Sequence, residues 1–125
     1  MLFRSATTAF VRLIAGLLAV VFEAADSAGD PEISRALVAM FNFMQGKEFA
    51  GQERAFGSAA FASGRTESST RLHWLHLVES QERCFQVFRD YSAPDIVQGW
   101  QSLQGSQAPA LTEVERLREQ AQNIE

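Results

Sequence analysis

An all-α fold, an antiparallel bundle of four to five helices built around one long central helix, is what this 125-residue chain predicts. Apolar residues recur at helical spacing in every long segment, and no segment alternates apolar and polar side chains as a half-buried strand does. Short breakers of Gly, Pro and Ser divide the segments. The length is enough for one domain, residues 1–125, to bury a core of its own.

The first helix takes in residues 13–22, LIAGLLAVVF, with Ser5 or Thr8 as its candidate cap. Phe10, Leu13, Ile14, Leu17, Leu18, Val21 and Phe22 give it a broad apolar face. Following Arg4 and Arg12, the run also has the outline of a signal peptide. It is too short to span a bilayer, however, and Glu23 and Asp26 interrupt the small-residue pattern that a cleavage site needs, so a core helix is expected. After a turn at residues 27–30, Asp30 caps the second helix, Pro31 takes its first position and Glu32 adds negative charge at the positive end of the dipole. That helix runs without proline to Ser63, where Gly64 closes it.

Gly46, Gly51 and Gly57 each weaken the second helix by about 1 kcal/mol relative to alanine. Either another helix approaches closely beside Ala50, Ala55 and Ala59, or a ligand needs room against the backbone; the two readings are compatible. The third helix spans residues 67–91, with Leu72, Leu75, Val78, Phe85 and Phe88 as its apolar face and Trp74, Leu77 and Cys84 broadening it. Gln81 lies among them, either buried and orienting an arginine or simply exposed. Residues 93–95 break the chain, and Asp95 or Ser92 caps a short helix at residues 96–103. Residues 105–110 are expected as a flexible connection, and Thr112 with Glu115 has the spacing of a capping box for a last helix over residues 113–123. Val114, Leu117 and Ala121 form its thin apolar seam, suited to docking on a partner helix rather than to a core.

Charge narrows the function. A net charge of -4 with eleven Lys and Arg does not fit a nucleic-acid binder, which needs a basic patch to displace counterions, so no direct nucleic-acid contact is expected. Cys84 is the lone cysteine; it excludes an intrachain disulfide and reads as a small core residue.

The most informative stretch is residues 40–61, MFNFMQGKEFAGQERAFGSAAF, where Lys47, Glu48, Glu53 and Arg54 stand in an otherwise apolar, small-residue helix. Charges on a partly buried face need partners. Lys47 and Arg54 are two turns apart and share a stripe with Gly51 and Ser58 that is cationic, narrow and uncrowded. It suits a small anion, because the planar N–H fork of arginine matches a planar oxyanion. The competing reading is a salt-bridge ladder, Lys47 with Glu48 or Glu53, and Glu53 with a basic residue of a neighbouring helix.

Residues 20–64, together with the helix over residues 72–88 that carries the run QERCF, resemble the nitrate- and nitrite-sensing domain of bacterial nitrate-responsive antiterminators. The resemblance covers nearly the whole chain, and its most specific part is GKEFAGQERA at residues 46–55. The same all-helical domain occurs in sensor kinases and chemotaxis receptors, so the resemblance implies ligand sensing more firmly than any one output. It implies a non-enzymatic, cytoplasmic regulator without a cofactor, its ligand being nitrate or nitrite. In the family, arginines from both halves of a larger helical domain hold the anion. Arg54 falls on one ligand position, Arg116 or Arg118 is the implied second, and Lys47 belongs to the anion stripe. Glu48, Gln52, Glu53 and Gln81 are expected as supporting residues. The matching region resembles the second half of that domain: Arg4 and Arg12 lack the motif around the early arginine pair, and no RNA-binding output follows Glu125. The implied partner is therefore a second copy of the chain or a missing N-terminal half-domain, with no membrane.

Other chemistries lack their parts. His73 and His76 are three residues apart with Glu79 one turn on, but a competent metal site needs further ligands and a supporting shell. Glu48 and Glu53 lie on different helix faces, no serine–histidine motif suggests a nucleophile, and the glycines do not form a phosphate loop. Three readings remain: an anion sensor, an interaction module that binds no ligand, and a haem or metal sensor using His73 and His76.

Overall fold

The computed structural model describes residues 2–27, 29–65 and 67–123; within these, the side chains of Leu2, Phe3, Arg4, Phe22, Ala25 and Asp26 are outside the description. Expectations placed on Arg4, Phe22 and Asp26 therefore lie outside the described residues. Five helices follow one another, α1 (Leu2–Ser27), α2 (Pro31–Ser63), α3 (Ser68–Tyr91), α4 (Pro94–Ser106) and α5 (Ala108–Gln122), with no strand among the described residues. The all-α bundle around one long helix is as the sequence predicts.

Local signals set the bounds of α2. The Asp30 carboxylate accepts from the Glu32 amide at 2.9 Å, and Pro31 enters with its fixed φ. At the other end Gly64 takes φ 69°, a left-handed conformation that glycine adopts without strain, and its amide donates to the Ala60 carbonyl at 3.0 Å.

The 33-residue α2 is the spine, with α1 and α3 packed on it and α5 touching it near its C-terminal half. Contacts between α2 and α3 run in opposite order, Gly57 with Trp74, Gly46 with Phe85, Phe43 with Phe88, so the two helices are antiparallel. Arg35 locks one end, donating to the Asp90 carbonyl at 3.0 Å and lying 4.6 Å above the Tyr91 ring. A Cβ on Gly46 would stand 2.9 Å from the Phe85 ring, and one on Gly57 3.1 Å from Trp74. Those two glycines permit close helix approach. Gly51 does not, since nothing lies within 4 Å of its added Cβ.

The interior has two apolar parts. Phe43, Phe85, Phe88 and Trp100 stack with centroids 5.1–6.1 Å apart, tying α4 to α2 and α3. Toward the other end Ala60, Trp74 and Ala121 are buried together, with Val78 packed against them, joining α2, α3 and α5.

Several expectations need correction. Ser5 and Thr8 lie inside α1 rather than at its cap. Among the described side chains of the expected apolar face of α1 only Leu18 is fully buried; Phe10, Leu13 and Leu17 point to solvent because α2 is the helix on which α1 packs. Leu72 and Leu75 are exposed, whereas Trp74, Leu77 and Phe88 of the expected face are buried and are joined by the polar Ser80 and Gln81. Cys84 is half-buried. Ala93 rather than Asp95 or Ser92 precedes α4, because Pro94 opens that helix. Residues 105–110 are helical on both sides of Gln107, since Gly105 falls at the end of α4 and Pro109 in the first turn of α5, where each is tolerated. Thr112 is consequently inside α5 and bonds back to the Ala108 carbonyl at 3.0 Å rather than capping. Ala121, at 0% exposure, sits in the core. No helix among the described residues is long and apolar enough to cross a membrane.

Candidate functional site

Between the two apolar parts of the interior lies a polar junction built on Glu53. Its residue is 9% exposed, and one ion has been brought into a helix interface where only pairing can hold it. From α3, Trp74 Nε1 donates to Oε2 and Gln81 Nε2 to Oε1, both at 2.9 Å. Trp74 and Gln81 are seven residues apart, two turns of one face, which is why a single carboxylate reaches both. From α5, Arg118 donates through Nε to Oε2 and through Nη2 to Oε1, both at 2.8 Å, the bidentate fork that suits a carboxylate. Four donors fill the acceptor capacity of the carboxylate.

The energetics follow from that geometry. Burial pushes the Glu53 carboxyl up, but the donors Arg118, Gln81 and Trp74 and the Arg118 charge outweigh it, so the group is held below the ordinary carboxylate range. Arg118 is correspondingly raised, chiefly by its hydrogen bonds to Glu53, and remains charged. Gln81 Oε1 also accepts from Arg118 Nη2, at 3.4 Å. Gln81 is therefore the buried polar group that orients an arginine, one of the two roles its position allowed. Glu53 pairs with a basic residue of a neighbouring helix, as the ladder reading expected. The Trp74 donor is the member that sequence reasoning passed over; its spacing from Gln81 was the available signal.

Lys47, Gly51, Arg54 and Ser58 lie together on the exposed side of α2. The side chains of Lys47 and Arg54 make no hydrogen bond or ion pair with another described residue, so the Lys47 half of the expected ladder is not formed. Glu48 is half-buried and accepts from Gln52 Nε2 at 3.2 Å. The result is an open cationic stripe one residue around the helix from a closed, neutralised junction.

The two candidate arginines of α5 differ. The inner edge of Arg118 is fixed on Glu53, while its outer Nη1 meets Glu115 at 2.8 Å, a carboxylate 67% exposed. Arg116 pairs with Glu113 at 2.7 Å and reaches Gln120 at 3.1 Å, all on its own helix and in solvent. Two residues on a helix are separated by about 200° of rotation, so with Arg118 turned toward α2, Arg116 is turned away. His73 and His76 are both exposed with ring centroids 6.4 Å apart, and His73 stacks on Phe56 at 4.6 Å. Among the described residues no three His, Cys, Asp or Glu side chains converge as a metal site would require.

Residues 2–124 match the family described as nitrate and nitrite sensing. The chain belongs to the nitrate and nitrite sensing family. It is also 39% identical over 113 residues to the nitrate regulatory protein of Klebsiella oxytoca, an alignment that covers 90% of this chain and 28% of that protein. No solved structure matches it. Both names describe sensing and regulation rather than catalysis. Beside the junction that links α2, α3 and α5, the exposed side of α2 carries two cations, Lys47 and Arg54, that pair with no other described residue.

Proposed function

We propose that this domain senses nitrate or nitrite by holding the anion on the open stripe of α2, with Arg54 as its main ligand and Lys47 adding charge. The observation that carries this reading is Gly51, which weakens α2 although nothing packs against it, and which lies between two unpaired cations. An oxyanion at that point approaches the backbone without meeting a Cβ, and the Arg54 fork offers it two parallel N–H donors.

The second ligand in this reading is Arg118 rather than Arg116. Its inner edge is locked by Glu53 and Gln81, which orient it, and its outer Nη1 is engaged only by an exposed glutamate, a pairing of small worth that an anion displaces. An anion shared by Arg54 and Arg118 joins α2 to α5. The present hold of α5 on the bundle is narrow, with Ala121 buried and Leu117 half-buried, so one added bridge changes how firmly the helix docks. That repacking is the relay, and the proposed output is transcription antitermination in the cytoplasm by a longer protein of which this domain is the sensing part.

Hydrogen exchange tests the relay. Nitrate is expected to slow exchange of the α5 amides and chloride to leave them unchanged; equal exchange in both salts would contradict it. A second reading, an interaction module that binds no anion, draws on the saturated Glu53 junction, which accounts for the buried charge without any ligand.

A further inference from the structure

A single residue, Gln107, separates α4 from α5. It has φ -108° and ψ 15°, about 45° and about 57° away from an ordinary helix, yet the hydrogen-bond ladder passes through it. Its amide donates to the Leu103 carbonyl at 3.2 Å, as within a helix, and its carbonyl accepts from the Leu111 amide at 3.0 Å. Rotation at this residue would run α4 and α5 together as one helix. Pro109 opposes that, because inside a helix proline offers no amide to the carbonyl four residues back, here Gly105, and its ring crowds that carbonyl.

The joint stands in solvent, with every residue from Gly105 to Arg116 exposed. On one side α4 is fixed by Trp100, which stacks on Phe43, Phe85 and Phe88. On the other, α5 meets the bundle over its second half, through Leu117, Arg118 and Ala121. The closing ion pair has a spare partner for each member. Without Arg118 the Glu53 carboxylate keeps Trp74 Nε1 and Gln81 Nε2, both carried by α3. Arg118 leaves together with Glu115, which it already meets at 2.8 Å on its own helix. Opening therefore leaves neither ion bare, and a bare ion is what makes parting a buried pair so costly.

We propose that α5 is a strap that swings about Gln107 between the closed position on Glu53 and an open one in which it continues α4, and that Pro109 is the wedge that favours the closed position. The swing supplies the axis of the repacking proposed above and rests on that reading for its role, but not on any anion. Since α5 is 15 residues, about 22 Å, long, its far end moves by at least about 10 Å on opening.

Spin-label distances in the full chain, measured without nitrate, test the swing separately from anion binding. Ala62→Cys on α2 is paired with Glu119→Cys on α5, and in a second chain with Gln98→Cys on α4, each with Cys84→Ser; all three labelled positions are exposed. The expected result is one short Ala62–Glu119 distance in the parent chain. Pro109→Ala and, separately, Arg118→Gln should each add a population longer by at least about 10 Å, with helical circular dichroism undiminished and the Ala62–Gln98 distance unchanged. A short distance retained in both variants would overturn the proposal. So would a longer distance accompanied by loss of helix, which is unfolding of α5, or by movement of the α4 label, which places the joint elsewhere.

Discussion

Arg118 of α5 grips both carboxylate oxygens of Glu53 of α2, through Nε and Nη2 at 2.8 Å each, across 65 residues of chain. Two further donors from α3 complete the carboxylate, so three helices meet on one ion. Glu53→Gln keeps the size but loses the charge that orients Arg118. Removing one partner of a partly buried pair leaves the other uncompensated, and about 2–3 kcal/mol of stability is expected to be lost. Urea unfolding of the two proteins measures it.

Acid should act through the same carboxylate. Its folded-state pKa is depressed, so the stability it contributes is present above the unfolded carboxylate range and is lost as pH falls through the folded value. Wild-type unfolding midpoints are expected to drop on the acid side of about pH 4.5, the ordinary value. Glu53→Gln should show a flatter profile over that window. Parallel profiles would mean that the junction does not titrate as its hydrogen bonds require.

The three glycines of α2 should respond with opposite signs. Gly46→Ala and Gly57→Ala press a methyl against Phe85 and Trp74, rings already fixed by stacking and by the Glu53 bond, and overpacking of this kind costs about 1–3 kcal/mol before the helix-propensity gain. Gly51→Ala meets nothing and should stabilise by about 0.5–1 kcal/mol. In the proposed site it also fills the room beside the backbone, so nitrate affinity should fall as thermal stability rises.

What could be read from residues alone was what residues settle locally. Asp30, Pro31 and Gly64 fixed α2 because a cap, a rigid φ and a left-handed turn act within a few residues. Gly105 and Pro109 misled, since the same residue types mark a loop or the meeting of two helix ends, and only packing of Trp100 on one side and Ala121 on the other decides between them. That Glu53 needed a partner was legible from its apolar surroundings. Which arginine supplies it was not, because Arg116 and Arg118 differ only in rotation about α5, a property of how that helix docks.

Among substitutions in the stripe, Arg54→Lys is the sharpest, because it keeps the charge and loses the planar fork. Loss of one charge-assisted hydrogen bond, about 1.5–3 kcal/mol, corresponds to roughly a tenfold to hundredfold weaker nitrate affinity. Since Arg54 makes no bond to another described residue, thermal stability without nitrate should be unchanged.

The central claim, that the open stripe around Arg54 holds a planar oxyanion, is tested most directly by calorimetric titration of nitrate into the wild-type and Arg54→Lys chains, with chloride and sulfate as controls. Saturable heat with nitrate in the wild type, much weaker in Arg54→Lys and absent with the control anions, is the predicted result. Nitrate heats identical in the two proteins, or no saturable heat in either, would contradict it.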